Sequence, residues 1–91
     1  MDILELIRNA QSGAEVLSAL SVYVESLRNV TVIPECCLRL PLEGEADVLK
    51  RTAALITVVS LASQNLRHRD CSLAKRALRV FGAAASRLRQ R

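Results

Sequence analysis

The sequence is poor in aromatic residues. Aromatic side chains make up 2% of the 91 residues, as one Tyr, one Phe and no Trp. This scarcity excludes the aromatic platforms on which single-stranded nucleic acids stack. It also removes the residue types that most often anchor protein interfaces. Any recognition by this chain is therefore expected to rest on aliphatic packing and on arginine.

Glycine and proline are also scarce, with three Gly and two Pro. These counts exclude collagen-like and low-complexity classes. The hydrophobic content of 51% excludes intrinsic disorder, which requires low hydrophobicity and high net charge. No run reaches about 18 apolar residues, so no transmembrane helix is expected. The length fits one helical domain over residues 1–91.

The three cysteines are an odd number and include an adjacent pair, Cys36 and Cys37, with Cys71 apart from them. This spacing is not that of a disulfide framework. The segment that starts at Met1 has no basic region before an apolar run, so no signal peptide is expected. We therefore expect a reducing compartment, bacterial or cytosolic, and a cytoplasmic location.

The charges are unevenly distributed. Residues 1–66 carry five basic and eight acidic side chains, whereas residues 67–91 carry eight basic side chains and only one acid, Asp70. Such asymmetry is typical of a nucleic-acid, membrane or acidic-protein partner. The alternative is a solvated helix face followed by a basic tail.

Two helices are predicted in the first third of the chain. The first spans 2–11, and the second spans about 13–28 and stops near Asn29. Between them, Ser12 and Glu15 fit a capping box, in which each side chain satisfies a free backbone N–H. The predicted apolar stripe of the second helix consists of Val16, Leu17, Leu20, Tyr23, Val24 and Leu27.

Residues 30–42 are predicted to form an irregular apolar crossover. Proline disfavours the helical conformation of the residue before it, so the positions before Pro34 and Pro41 are expected to be extended. One helical turn is expected at 34–38. Ile33, Leu38 and Leu40 are expected to anchor the crossover on the helices.

A third helix is predicted over about 45–67. Its first turn is rich in acidic residues and its last turn in basic residues, which complements the helix dipole. Its middle, residues 53–62, is apolar almost all round. Such a helix is expected to be either central in a bundle or covered by a second subunit.

A fourth helix is predicted over about 71–89, capped by Asp70. The turn before it is short, so the last two helices are expected to form an antiparallel hairpin. The basic tail at about 88–91 is expected to fray. The predicted fold is thus all-α, a small four-helix bundle-like domain. The apolar face of the fourth helix consists of Leu73, Ala77, Val80, Phe81, Ala84 and Leu88.

Two groups of residues could in principle carry chemistry. Cys36, Cys37, His68 and Cys71 match the ligand types of a zinc site, but adjacent cysteines and a predicted helix break after His68 argue against it. Cys71 and His68 resemble a nucleophile and its base, but no orienting residue or glycine-rich turn accompanies them. No phosphate loop or dinucleotide motif is present. We therefore expect no metal, no cofactor, no small-molecule substrate and no enzymatic activity.

The leading interpretation is a non-catalytic protein–protein interaction module, a small bacterial-type adaptor, inhibitor or subunit that forms a homodimer. Its contacts are expected on a spare stripe of the third helix or on a cationic face of the fourth. The alternative function is non-specific nucleic-acid binding through that cationic face, since side chains that read bases are nearly absent from it. The third possibility is a closed monomeric bundle in which segment 30–42 covers the third helix. The candidate contacts are Val58, Leu61, Lys75, Arg76, Arg79 and Arg87.

Overall fold

The structure, a computed structural model, describes residues 2–30, 32–64 and 71–90. These residues form four α-helices and no strand, which confirms the predicted all-α class. The helices are α1 (Ile3–Arg8), α2 (Gly13–Ser26), α3 (Glu45–Gln64) and α4 (Ser72–Arg89), with a 3-10 turn at Glu35–Cys37 between α2 and α3. None of the helices in these ranges is long and apolar enough to cross a membrane.

The start of α2 follows the predicted capping pattern. Ser12 Oγ accepts a hydrogen bond from the Glu15 backbone N–H at 3.3 Å. The Glu15 carboxylate in turn accepts from the Gln11 backbone N–H at 2.7 Å, one residue before the cap. Three residues of the predicted stripe, Val16, Leu20 and Val24, are buried. Local capping and helical periodicity therefore place α2 correctly.

The crossover also forms as predicted. Its 3-10 turn lies within the expected helical turn at 34–38. Ile33 and Leu38 are buried, while Leu40 is half-buried. Cys37 is completely buried, and the 3-10 turn packs against α3. The apolar anchors thus hold this irregular segment on the core.

The central helix is α4, which packs against α1, α2 and α3. Only three residues of α3 are buried, Val48, Arg51 and Leu55. A central position for the third helix was therefore the wrong one of its two predicted placements. Small side chains on α4 let three neighbours approach it closely, which the apolar pattern of the sequence did not reveal. The buried residues of α4 are Ala74, Ala77, Val80, Phe81, Ala84, Ala85 and Leu88.

The two ends of α4 differ from the prediction. Leu73, assigned to the buried face, is 44% exposed. The reason is that α1 begins beside Arg76, where Asp2 pairs with it, so α1 covers α4 only beyond that turn. At the other end, the residues predicted to fray are helical through Arg89, and Leu88 is buried. The predicted cap Asp70 and the turn at 65–70 lie outside the described residues.

A buried arginine fastens the crossover to α3. Arg51 Nη1 donates to the Cys37 carbonyl at 3.3 Å and to the Arg39 carbonyl. The same guanidinium binds both carboxylate oxygens of Asp47, through Nε at 3.1 Å and Nη2 at 3.0 Å. Asp47 also accepts from the Glu43 backbone N–H at 3.2 Å. This network satisfies backbone carbonyls that the irregular crossover leaves without helical partners.

A second arginine holds α1 on α4. Arg87 Nε donates to the Ile7 carbonyl at 3.4 Å, and Nη2 donates to the Ala10 carbonyl. The Ile7 carbonyl lies in the last turn of α1, where carbonyls have no partner in the helix, and it also accepts from the Ala10 backbone N–H at 3.3 Å. The Ala10 carbonyl lies two residues beyond the end of α1. A helix of six residues is not stable alone, so α1 depends on this contact and on the burial of Ile7.

We predict that Arg87→Ala lowers the free energy of unfolding by about 1.5–3 kcal/mol, since hydrogen bonds from a charged donor contribute about this much. Amide hydrogen exchange should accelerate selectively in α1. Arg79→Ala is the matched control, because Arg79 is exposed and has no hydrogen-bond partner in the described chain. Equal protection of α1 in both variants would contradict this role of Arg87.

The stability of the fold is predicted to fall in alkaline solution. Burial, and secondarily the neighbouring Cys36 thiol, raises the pKa of Cys37 from 9.0 to about 11. The folded state therefore favours the neutral thiol, whose Sγ lies 3.7 Å from the Arg51 carbonyl. This contribution is fully present below pH 9 and is lost between pH 9 and about pH 11. Burial also raises the pKa of Tyr23, which acts in the same direction.

Urea unfolding measured from pH 7 to pH 11 tests this expectation. The free energy of unfolding should decline above pH 9, and Cys37→Ala should reduce that decline. A decline of the same size in wild type and variant would show that Cys37 is not responsible.

Candidate interaction surface

The two predicted contact residues of α3 lie on different sides of the helix, and only Val58 lies on the side of Arg51, which contacts the crossover. Val58 follows Arg51 by seven residues, two helical turns, and therefore shares its side of α3. Val58 is half-buried, whereas Leu61 is 61% exposed. Of this predicted pair, only Leu61 offers a large accessible apolar side chain.

The predicted cationic face of α4 is divided by internal contacts. Arg76 Nη2 pairs with Asp2 at 2.7 Å, and the guanidinium of Arg87 is directed to the carbonyls of α1. Lys75 and Arg79 are exposed and have no hydrogen bond or ion pair within the described ranges. Among the described residues, two of the four predicted cations, Lys75 and Arg79, are thus without a partner.

An ion pair shows which sides of α3 and α4 lie next to each other. Arg89 Nε contacts Glu45 Oε1 at 3.0 Å. On α4, Gly82 precedes Arg89 by seven residues, or two turns; on α3, Ile56 follows Glu45 by eleven residues, or three turns. Gly82 and Ile56 therefore lie on the same sides of their helices as this ion pair, and together they belong to one surface.

We call this surface the α3–α4 outer face. Arg87, which points toward α1, lies about 140° around the helix from Gly82, so α1 packs on a different side of α4. The crossover likewise packs on the Arg51 side of α3. The outer face consists of Leu49, Ala53, Ile56 and Ser60 of α3 and Lys75, Leu78 and Gly82 of α4.

The outer face is apolar and accessible. Ile56 is 51% exposed, and Leu49 and Leu78 are half-buried. From residue 52 to the end of α3 there is no charged side chain, although solvent-facing helix surfaces are usually charged. Large apolar residues that remain accessible on such a surface are typical of interaction sites.

Gly82 lies inside α4 without a steric reason in the described structure. A Cβ atom built at Gly82 meets no atom within 4 Å. Glycine in a helix interior is less favourable than alanine by about 1 kcal/mol. The sequence pattern did not identify Gly82 as a candidate contact residue, because this glycine does not interrupt the predicted helix.

The described residues contain no group of three or more His, Cys, Asp or Glu side chains that could hold a metal ion. Cys36 is exposed, whereas Cys37 and Cys71 are buried. His68, the remaining member of the two groups of residues considered for chemistry, lies outside the described residues.

An acidic depression lies at the start of α3, and its lining includes Glu43, Glu45 and Asp47. Asp47 is held by Arg51, and Glu45 is paired with Arg89. Glu43 is exposed, and within the described residues its one hydrogen bond is from its backbone N–H to Asp47. Lys50 also lines this depression, which borders the outer face through Glu45 at the end opposite to Lys75.

No protein-family model matches this chain, and neither does any curated protein or solved structure.

Proposed function

We propose that this chain is a non-catalytic protein–protein interaction module, an adaptor, inhibitor or subunit, and that it self-associates as a homodimer. The observation that supports this function is the exposure of α3. Ile56 and Leu61 are 51% and 61% exposed, although they belong to the most apolar stretch of the sequence. A second subunit that covers these side chains would account for their exposure, because an apolar helix that is not central in a bundle is expected to be covered by a partner.

The arrangement of α3 and α4 fits this proposal. The Glu45–Arg89 ion pair joins the first turn of α3 to the last turn of α4, as an antiparallel hairpin requires. An antiparallel pair in a bundle-like domain buries one side of each helix and presents the other to a partner. Closed two-fold symmetry is the commonest arrangement of homo-oligomers, and it uses the same patch on both copies.

Sedimentation equilibrium of the full chain over micromolar to millimolar concentrations tests the proposed self-association. The weight-average mass should rise with concentration toward twice the 10.0 kDa of one chain. A mass of one chain at every concentration would overturn the homodimer.

Non-specific nucleic-acid binding is a second candidate, and the observation that favours it is the free pair Lys75 and Arg79. Two phosphate contacts give weak binding with a shallow salt dependence, because that dependence scales with the number of phosphates neutralised. Titration of labelled duplex and single-stranded DNA at low and at high salt tests it. Binding at low salt that disappears in Lys75→Glu/Arg79→Glu would establish this function, whereas no binding at low salt would remove it.

A further inference from the structure

We infer that the α3–α4 outer face is the dimer interface, and that a second copy docks on it about a two-fold axis close to Gly82. The inference rests on the proposed function and specifies where and how the two copies meet. Three features of the face point to a copy of the same chain, namely its charges, its apolar side chains and its glycine.

The charges along the face are self-complementary. Lys75 precedes Gly82 by seven residues, and Arg89, the partner of Glu45, follows it by seven. Seven residues of helix span about 10 Å. A two-fold axis that crosses the helices at Gly82 therefore brings Lys75 of each copy level with Arg89 of the other. Glu45 neutralises Arg89 there. The nearby carboxylate of Glu43, which has no partner among the described residues, is the group with which Lys75 can pair. The two Lys75 side chains then lie about 20 Å apart, beyond the range of strong repulsion.

The same two-fold axis also pairs the apolar side chains of the two copies. Because Glu45 contacts Arg89, antiparallel helices place Thr52 level with Gly82, each seven residues from the ion pair. Ile56 lies four residues beyond Thr52, and Leu49 lies three residues before it. The two-fold axis therefore brings Ile56 of each copy onto Leu49 of the other. The exposed side chain of Ile56 and the accessible part of Leu49 are covered by this contact.

Gly82 gives the close approach that this arrangement needs. The distance between packed helices depends on the side chains at their point of contact. With glycine at the crossing point, the backbone of α4 can approach the backbone of its copy. The space beyond Gly82, where a Cβ meets nothing within 4 Å, is the space that the second copy fills.

Two substitutions at Gly82 separate folding from dimerisation. Gly82→Ala places its methyl group in the open space of a single chain, so the melting temperature of the dilute monomer should rise. Gly82→Leu should remain folded, but its dimer dissociation constant should increase at least tenfold in sedimentation equilibrium. Ser18→Leu is the matched control, because Ser18 is an exposed position of α2 away from this face, and its dissociation constant should be unchanged.

The remaining contacts are tested in the same assay. Ile56→Ser should weaken the dimer, whereas Val22→Ser, at a residue that is 71% exposed on α2, should not. Lys75→Glu and Glu43→Lys should each weaken the dimer, and the double variant should restore most of the lost affinity. Such restoration follows from a contact between the two ends of the face and not from a general change in net charge.

The outcomes distinguish the interface from the function. If the wild type is dimeric and Gly82→Leu and Ile56→Ser leave its dissociation constant unchanged, the outer face is not the interface, but the proposed function stands. Loss of the dimer in Leu61→Ser would then place the interface on the other side of α3. If the wild type is monomeric throughout, both the interface and the homodimer are overturned.

Discussion

Phe81→Ala is expected to lower the free energy of unfolding by about 3–5 kcal/mol, the usual loss for a fully buried phenylalanine. Phe81 has no exposed surface and lies on the central helix. Its neighbours on the buried side of α4 include Ala77 and Ala84, which are too small to fill the cavity. A domain of this size is stable by about 5–10 kcal/mol, so the variant should lose much of its stability.

Urea unfolding followed by circular dichroism measures this loss. Phe81→Leu is the matched control, because it keeps most of the apolar volume and should lose less than half as much. A loss below about 1 kcal/mol for Phe81→Ala, well under the range for buried phenylalanine, would contradict a central position of α4.

Arg51→Ala is expected to lower the free energy of unfolding by about 2–4 kcal/mol, because removing one partner of a buried ion pair leaves the other without compensation. The Arg51 side chain is 9% exposed and that of Asp47 is 24% exposed, so water relieves part of the loss at the carboxylate. The Cys37 and Arg39 carbonyls also lose their donor.

The same variant should release the crossover. Alkylation of Cys37, which is completely buried in the native fold, should become faster in Arg51→Ala. Lys50→Ala is the neighbouring control on the solvent side of α3, and it should change stability by no more than about 0.5 kcal/mol. Equal stability of the two variants would show that Arg51 does not fasten the crossover.

Local signals in the sequence were sufficient to place most helices. Ser12 and Glu15 mark the start of α2 because their side chains satisfy backbone groups within four residues. Pro34 restricts the backbone where the 3-10 turn begins. Interactions of this kind depend on residues near each other in sequence, so they can be recognised without knowledge of the fold.

Local signals could not show which helix lies at the centre of the core. The apolar stretch 53–62 suggested a central α3, but burial depends on which elements lie beside a helix. The alanines of α4 have little apolar surface of their own, and yet they allow close packing on several sides. The burial of Leu73 could not be predicted for the same reason, since its exposure depends on where α1 begins.

The roles of the two arginines also depend on distant parts of the chain. Arg51 binds carbonyls twelve and fourteen residues away, and Arg87 binds carbonyls nearly the whole chain away. An arginine in a helix usually faces solvent, so neither role follows from helical spacing. The i, i+4 spacing of Asp47 and Arg51 is the one signal that indicated a pair.

Of the contact residues predicted from the sequence, Lys75 belongs to the outer face, and the role of every one of them stays a prediction. The excess of apolar residues on α3 predicted an uncovered surface, and the exposed Leu61 lies outside the outer face. Helical spacing alone could not show that Ile56 and Gly82 share a surface, because that depends on the contact between Glu45 and Arg89. The prediction of a homodimer stays a prediction, now with a specified interface.

Isotope-filtered NMR on a mixture of labelled and unlabelled chains tests the central claim most directly, because it detects only contacts between different copies. Nuclear Overhauser effects should connect the methyl groups of Ile56 in one copy with those of Leu49 in the other. Intermolecular effects that involve Leu61 and Val58 but not Ile56, or no intermolecular effects at millimolar concentration, would contradict the proposed interface.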